Sequence, residues 1–275
     1  MCRLNNWLYF MKRFLLSAVV LGVLTFLGAS EASAGGVLLT YAEAPGDQNS
    51  TLANTSHITF DNLPNPDGSL TWAGVGTYDD VAIINANQYG GADGTGNYLV
   101  QSTSIPPGGA APTTTLTLNT LSAYFGLWWS AGDVANKLTF SLNGALVAEF
   151  TTATLVNVLP NSYKGNPTAP FLGLNSNEKY AFFNVYGDAG TTWNEITFTN
   201  LGASGFESDN HTTRITGWGD EPGEAGPEPG IPVMRVEGTT VSGVVAVPET
   251  STWVMGFVAL GAVVILMRRR TSHSG

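Results

Sequence analysis

Polar and apolar residues alternate most regularly between Lys137 and Phe150, where Leu138, Phe140 and Leu142 interleave with Lys137, Thr139 and Ser141. Asn143-Gly144 follows, then a second run from Ala145 to Phe150. Asn-Gly suits a two-residue type I′ turn, because both central residues need positive φ. The pattern predicts a β-hairpin. Thr113 to Leu118 alternates threonine with leucine, as a half-buried strand does, and Ser122 to Trp129 is aromatic and apolar, as a strand buried on both faces is. Within that strand Trp128 and Trp129 must point to opposite sides.

Shorter strand signals flank these. Val37-Leu38-Leu39-Thr40-Tyr41 opens the series, and His57-Ile58-Thr59-Phe60 is closed by Asp61-Asn62-Leu63-Pro64. Asp79 to Ile84 reads as another strand, and Tyr98-Leu99-Val100 emerges from the glycine-rich loop Gly90 to Gly96. Beyond the hairpin a long loop carries Pro160, Pro167 and Pro170. Lys179 to Tyr186 and Trp193 to Thr199 are two strands joined by Gly187 to Gly190, and Gly205 to Asn210 and Thr212 to Thr216 are two late pieces. Short strands at this spacing predict an all-β fold, an antiparallel β-sandwich of jelly-roll-like form over residues 35–216. Residues 217–246, rich in Gly, Pro and Glu, read as a stiff acidic linker.

The pattern changes at both ends. Lys12 and Arg13 precede the apolar run Phe14 to Leu27, and Ala32-Ser33-Ala34 forms an A-x-A site before Gly35. This is the layout of a secretory signal peptide over residues 1–34, with cleavage signalled by Ala32, Ala34 and Gly35 and with Met11 as the more natural start. At the other end an uncharged run from Trp253 to Met267 is followed by Arg268, Arg269 and Arg270. Apolar residues enter a bilayer while Lys/Arg clusters stay on the cytoplasmic side. The run is short against the roughly 20 residues that cross comfortably, and snorkelling arginines recover a few Å. It is expected to form a membrane helix at residues 253–267.

Composition adds two constraints. Of 275 residues, 12% are charged and 33 are glycine, which favours a turn-rich β protein over a helical one. Cys2 is the only cysteine, so no intrachain disulfide or cysteine metal cluster can form. Five basic and 19 acidic residues lie between Gly35 and Val247, a net charge near −14. That excess disfavours nucleic acid and anionic lipid as partners of the body.

The tail places Val247-Pro248-Glu249-Thr250-Ser251, an apolar run and the arginine cluster in fixed order. It resembles the PEP-CTERM sorting signal of bacterial exosortase substrates, over residues 247–275. The family's second proline is Thr250 here. The resemblance implies retention in the inner membrane, processing by an exosortase near Pro248 and Glu249, and delivery to the cell surface or extracellular matrix. Three body segments, Tyr89 to Leu99, Tyr124 to Ser130 and Gly205 to Asn210, are together similar to a group of exosortase-dependent surface proteins. That similarity implies a displayed β-sandwich with a structural or adhesive role among exopolysaccharide or other surface glycans.

Candidate chemistry in the body is sparse. His57, His211 and His273 are scattered, with no His-x-x-x-His and no Gly-x-Ser-x-Gly. The body is therefore expected not to be an enzyme. A surface glycoside hydrolase would need a carboxylate pair such as Asp79/Asp80 or Glu207/Asp209. A structural calcium, which takes six to eight oxygen ligands, could draw on Asp79, Asp80, Glu207, Asp209 and Asn210. These residues also belong naturally in turns. A carbohydrate-binding module would use exposed aromatics, for which Trp72, Trp128, Trp129, Trp193 and Trp218 are available, with Trp218 expected to be exposed in the linker.

Overall fold

The computed structural model describes residues 36–65, 68–103, 111–132, 134–156, 158–188, 190–200, 202, 204–224 and 230–242. The signal peptide, the sorting motif, the apolar run 253–267 and the arginine cluster lie outside the described residues. Among the described residues no helix is long and apolar enough to cross a membrane.

The fold is all-β, with two antiparallel sheets. The strands are β1 (Val37–Tyr41), β2 (Ser56–Ile58), β3 (Leu70–Trp72), β4 (Gly76–Tyr78), β5 (Ile83–Asn85), β6 (Asn97–Gln101), β7 (Thr113–Ser122) and β8 (Tyr124–Ser130). They continue as β9 (Asn136–Leu142), β10 (Ala145–Thr151), β11 (Ala181–Gly187), β12 (Trp193–Asn200), β13 (Phe206–Arg214), β14 (Ile231–Glu237) and β15 (Thr240–Ser242). Among the described residues one short α-helix, α1 (Thr152–Val156), follows β10. The first sheet runs β15-β14-β1-β11-β8-β13-β6-β5, with β2 also paired to β13. The second runs β10-β9-β12-β7-β4-β3. Four pairs are nested in sequence and alternate between sheets: β6 with β13, β7 with β12, β8 with β11, and β9 with β10.

The core between the sheets follows from strand alternation. Phe125, Leu127 and Trp129 of β8 point into it, as do Phe183 and Val185 of β11 and Leu138 and Phe140 of β9. Each fully buried side chain of this size contributes about 1.5–3 kcal/mol. The β9–β10 hairpin forms as predicted, with Asn143 at φ 51° and Gly144 at φ 78°.

The structure differs from the sequence pattern in four places. Asp79 and Asp80 do not lie in a strand: Asp80 turns the chain at φ 42°, and only Ile83–Asn85 pairs, with β6. β3 and β4 pair with each other where no strand was expected. The two late pieces are one strand, β13, with a register shift between Asp209 and Thr212 and Asn210 at φ 48°. Finally, the stretch expected to be linker is partly sheet. β14 pairs with β1, with a register shift opposite Leu39/Thr40 and with Pro232 opposite Thr40. Met234 and Val236 are buried in the main core.

Candidate functional site

The outer face of the larger sheet is not open to solvent. Tyr124 and Trp128 of β8, Phe182, Asn184 and Tyr186 of β11, and Glu207 and Asp209 of β13 are all buried there. Three loop segments cover them: residues 42–55, the glycine loop 86–96, and the segment 158–180. Trp129 packs between the sheets while Trp128 lies 6.4 Å from the Tyr180 ring under these loops, so the two tryptophans do face opposite sides.

β13 organises this layer. Among the described residues it is the only strand whose central residues are mostly polar and all buried, from Phe206 to Arg214. Leaving such groups unpaired would cost about 1–3 kcal/mol each, more for charged ones, so their partners decide whether the strand is tolerated. Asp209 Oδ2 accepts the N–H of Ala92 at 2.8 Å and Oδ1 accepts the N–H of Asn210 at 2.8 Å. Burial pushes the Asp209 carboxyl up to about 8, against the pull of those two N–H bonds, so it holds its proton at neutral pH. Asn210 Nδ2 donates to Gln48 O at 2.9 Å and Asn49 Oδ1 at 3.0 Å. Gln48 in turn accepts the N–H of Asp93 at 2.9 Å and donates to Thr168 Oγ1 at 2.7 Å. One chain of bonds thus runs from β13 through all three covering loops.

The glycine loop is shaped for this contact. At Gly94, φ is +68° and an added Cβ would collide with the carbonyl oxygen of Ala169. At Gly90 it would meet the Tyr98 ring. Both positions therefore exclude any side chain. The segments Tyr89 to Leu99, Tyr124 to Ser130 and Gly205 to Asn210 meet at this junction.

On the inner side of β13, His211 sits among aromatic rings. Its ring stacks on Phe198 at 4.9 Å and 3°, and meets Phe125 edge-on at 5.3 Å. Nδ1 pairs with Tyr78 OH at 2.9 Å and Nε2 with Ser208 Oγ at 2.9 Å. Burial lowers its proton affinity to a pKa of about 3, so it is neutral at physiological pH. Ser208 and His211 are both 0% exposed. The Ser–His pair is thus sealed in the core, away from any substrate. The serine–histidine spacing gave no sequence signal because the bulge at Asn210 creates it.

The five residues considered for calcium separate. Asp79 and Asp80 are exposed in a turn, where Asp79 Oδ1 accepts the N–H of Thr115 and the Asp80 carbonyl accepts from Thr114 Oγ1 at 2.9 Å. Glu207, Asp209 and Asn210 are buried on β13. Among the described residues no group of three or more His, Cys, Asp or Glu side chains could hold a metal ion. Glu207 and Asp209 share the outer face of β13, but the loops cover them, so they do not flank an open cleft. His57 lies on β2, opposite Thr212.

The tryptophans are not a stacking platform. Trp72, Trp128, Trp129 and Trp193 are buried. Trp218 is half-buried against Tyr186, at 6.5 Å between rings, rather than exposed. Its segment is held by Arg214, a buried cation that bonds both Glu224 carboxylate oxygens, Gly217 O at 2.7 Å and Thr216 O at 3.1 Å. Residues 216–224 are therefore fastened to the sheet.

Comparison with protein-family models, with curated proteins and with solved structures finds no match to this chain.

Proposed function

We propose that this chain is an exported, non-enzymatic surface protein, held at the inner membrane by residues 253–267 and processed by an exosortase at Val247 to Ser251. The released body is a jelly roll with a structural or adhesive role among extracellular polysaccharide. The nested pairs β6/β13, β7/β12, β8/β11 and β9/β10, alternating between sheets, support the jelly-roll reading. Fold alone does not assign function.

One observation carries the passive role. The polar residues of β13, which include the acidic motif Glu207 to Asn210, serve to fasten loops to the sheet rather than to line a cleft. An acidic body with buried titratable groups suits a hydrated matrix. The test is a double substitution, Pro248→Ala with Glu249→Ala, in a host that carries an exosortase. The variant should stay in the membrane fraction while the native chain is released. Equal release of both would overturn the proposal. Glycan binding is a second reading, favoured by a groove on the loop-covered face.

A further inference from the structure

A groove of about 220 Å³ opens beside β11. Its wall is the segment Asp47 to Leu52, whose residues alternate in role. Gln48 is bonded to Asp93 and Thr168, Ser50 Oγ lies 2.8 Å from Tyr124 OH, and Leu52 packs with Tyr124 and Tyr186. These even positions glue the segment to the sheet. The odd positions Asp47, Asn49 and Thr51 line the groove, joined by Glu43. The floor is Phe182 and Asn184, both buried, with Ala42 and Gly230 at the sides.

The floor is preorganised. Tyr124 OH donates to Asn184 Oδ1 at 2.7 Å, and Asn184 Nδ2 donates to Thr40 Oγ1 at 3.2 Å. An asparagine amide can take four partners, and these two fix its orientation without filling it. Asn49 is held similarly, its Oδ1 accepting from Asn210. The groove thus offers two oriented amides, two carboxylates and a hydroxyl.

Three features choose the ligand. Among the described residues no basic side chain lines the groove, and Glu43 and Asp47 repel anions, so phosphate, sulfate and uronate ligands are disfavoured. The volume falls below the ~300–1,000 Å³ of pockets for drug-sized ligands. The lining is made of hydroxyl-bonding groups, so that the hydroxyls of a ring in the groove reach carboxylate and amide. We infer that this groove binds one ring of a neutral sugar. The inference deepens the surface-protein reading by giving surface glycan a binding site, and rests on that reading only for where the ligand is met.

The test uses the purified full chain in detergent, with no export step, so its failure leaves the sorting proposal standing and the reverse also holds. The probes are the methyl glycosides of glucose, galactose and mannose, with methyl glucuronide and calcium chloride as comparators, read by saturation-transfer NMR and titration. At least one neutral glycoside should bind. Asp47→Ala and Thr51→Val, both at the surface, should leave the melting temperature unchanged and weaken binding, by roughly tenfold or more for the charged partner. Methyl glucuronide should bind more weakly than its neutral counterpart. No binding by any neutral glycoside, binding that neither substitution alters, or a response to calcium chloride alone would each overturn the inference.

Discussion

Asp209 on β13 accepts a hydrogen bond from the backbone N–H of Ala92, 117 residues away, and the carboxyl that does so is buried. This contact ties the acidic motif to the glycine loop, and it sets how the fold responds to pH. Burial raises Asp209 to about 8 from an ordinary value near 4, so the folded state keeps a proton that the unfolded chain has lost. The stability tied to that proton is full below about pH 4 and is lost as pH rises through about 8.

His211 acts with the opposite sign. Its folded value of about 3 lies below an unfolded value near 6.5, so its contribution is full above pH 6.5 and is lost as pH falls towards 3. Between about pH 4 and 6.5 the two slopes offset. These two groups together predict a plateau of stability there, falling away on both sides. Asp209→Asn should remove the fall between pH 6.5 and 8, a change of order a few kcal/mol, leaving a profile that rises to about pH 6.5 and then stays flat. Urea denaturation across pH 3 to 9 measures this. An alkaline slope that survives the substitution would show that Asp209 is not the group responsible.

Arg214 and Glu224 form a bidentate pair whose cation is 3% exposed. Removing one partner of a buried pair leaves an uncompensated charge and costs about 3–5 kcal/mol. Glu224→Ala should therefore lower the melting temperature and loosen residues 216–224, which faster amide exchange at Gly217 and Trp218 would reveal. Stability and exchange like the native chain's would contradict the pairing.

Gly94→Ala should destabilise by about 1–3 kcal/mol, because it adds a clash with the Ala169 carbonyl to a left-handed backbone. Gly144, also at positive φ but with open space around its Cβ position, is the control. Its alanine variant carries the backbone strain alone and should lose less. Equal losses in thermal melting would remove the loop-to-loop contact from the account.

Much of this architecture is legible in the sequence, and the exceptions have physical causes. The β9–β10 hairpin is written in its alternation and in Asn143-Gly144, both local signals. β3 and β4 are three residues each, too short for a period to register. β14 is obscured by Gly230 and Pro232, which usually mark linkers, although Pro232 pairs opposite Thr40 of β1. The acidic residues of β13 stand out as a motif, but their partners Ala92, Gln48 and Asn49 are distant in sequence. Asp79 and Asp80 looked like companions of Glu207 and Asp209 because composition does not encode distance.

β14 covers the edge of β1 and buries Met234 and Val236 in the main core. A chain ending at residue 224 would expose that edge and open the core. It should melt at lower temperature and aggregate more readily than one ending at residue 242. Identical melting and light-scattering curves for the two would show that β14 contributes nothing to the fold.

The central claim, export followed by processing at Pro248 and Glu249, is tested most directly by the mass of the mature C-terminus. Protein recovered from the cell surface or medium of an exosortase-bearing host should end near Val247 to Ser251, without the arginine cluster. Recovery of chains that still carry Arg268, Arg269 and Arg270 would contradict it and leave the tail as an anchor alone.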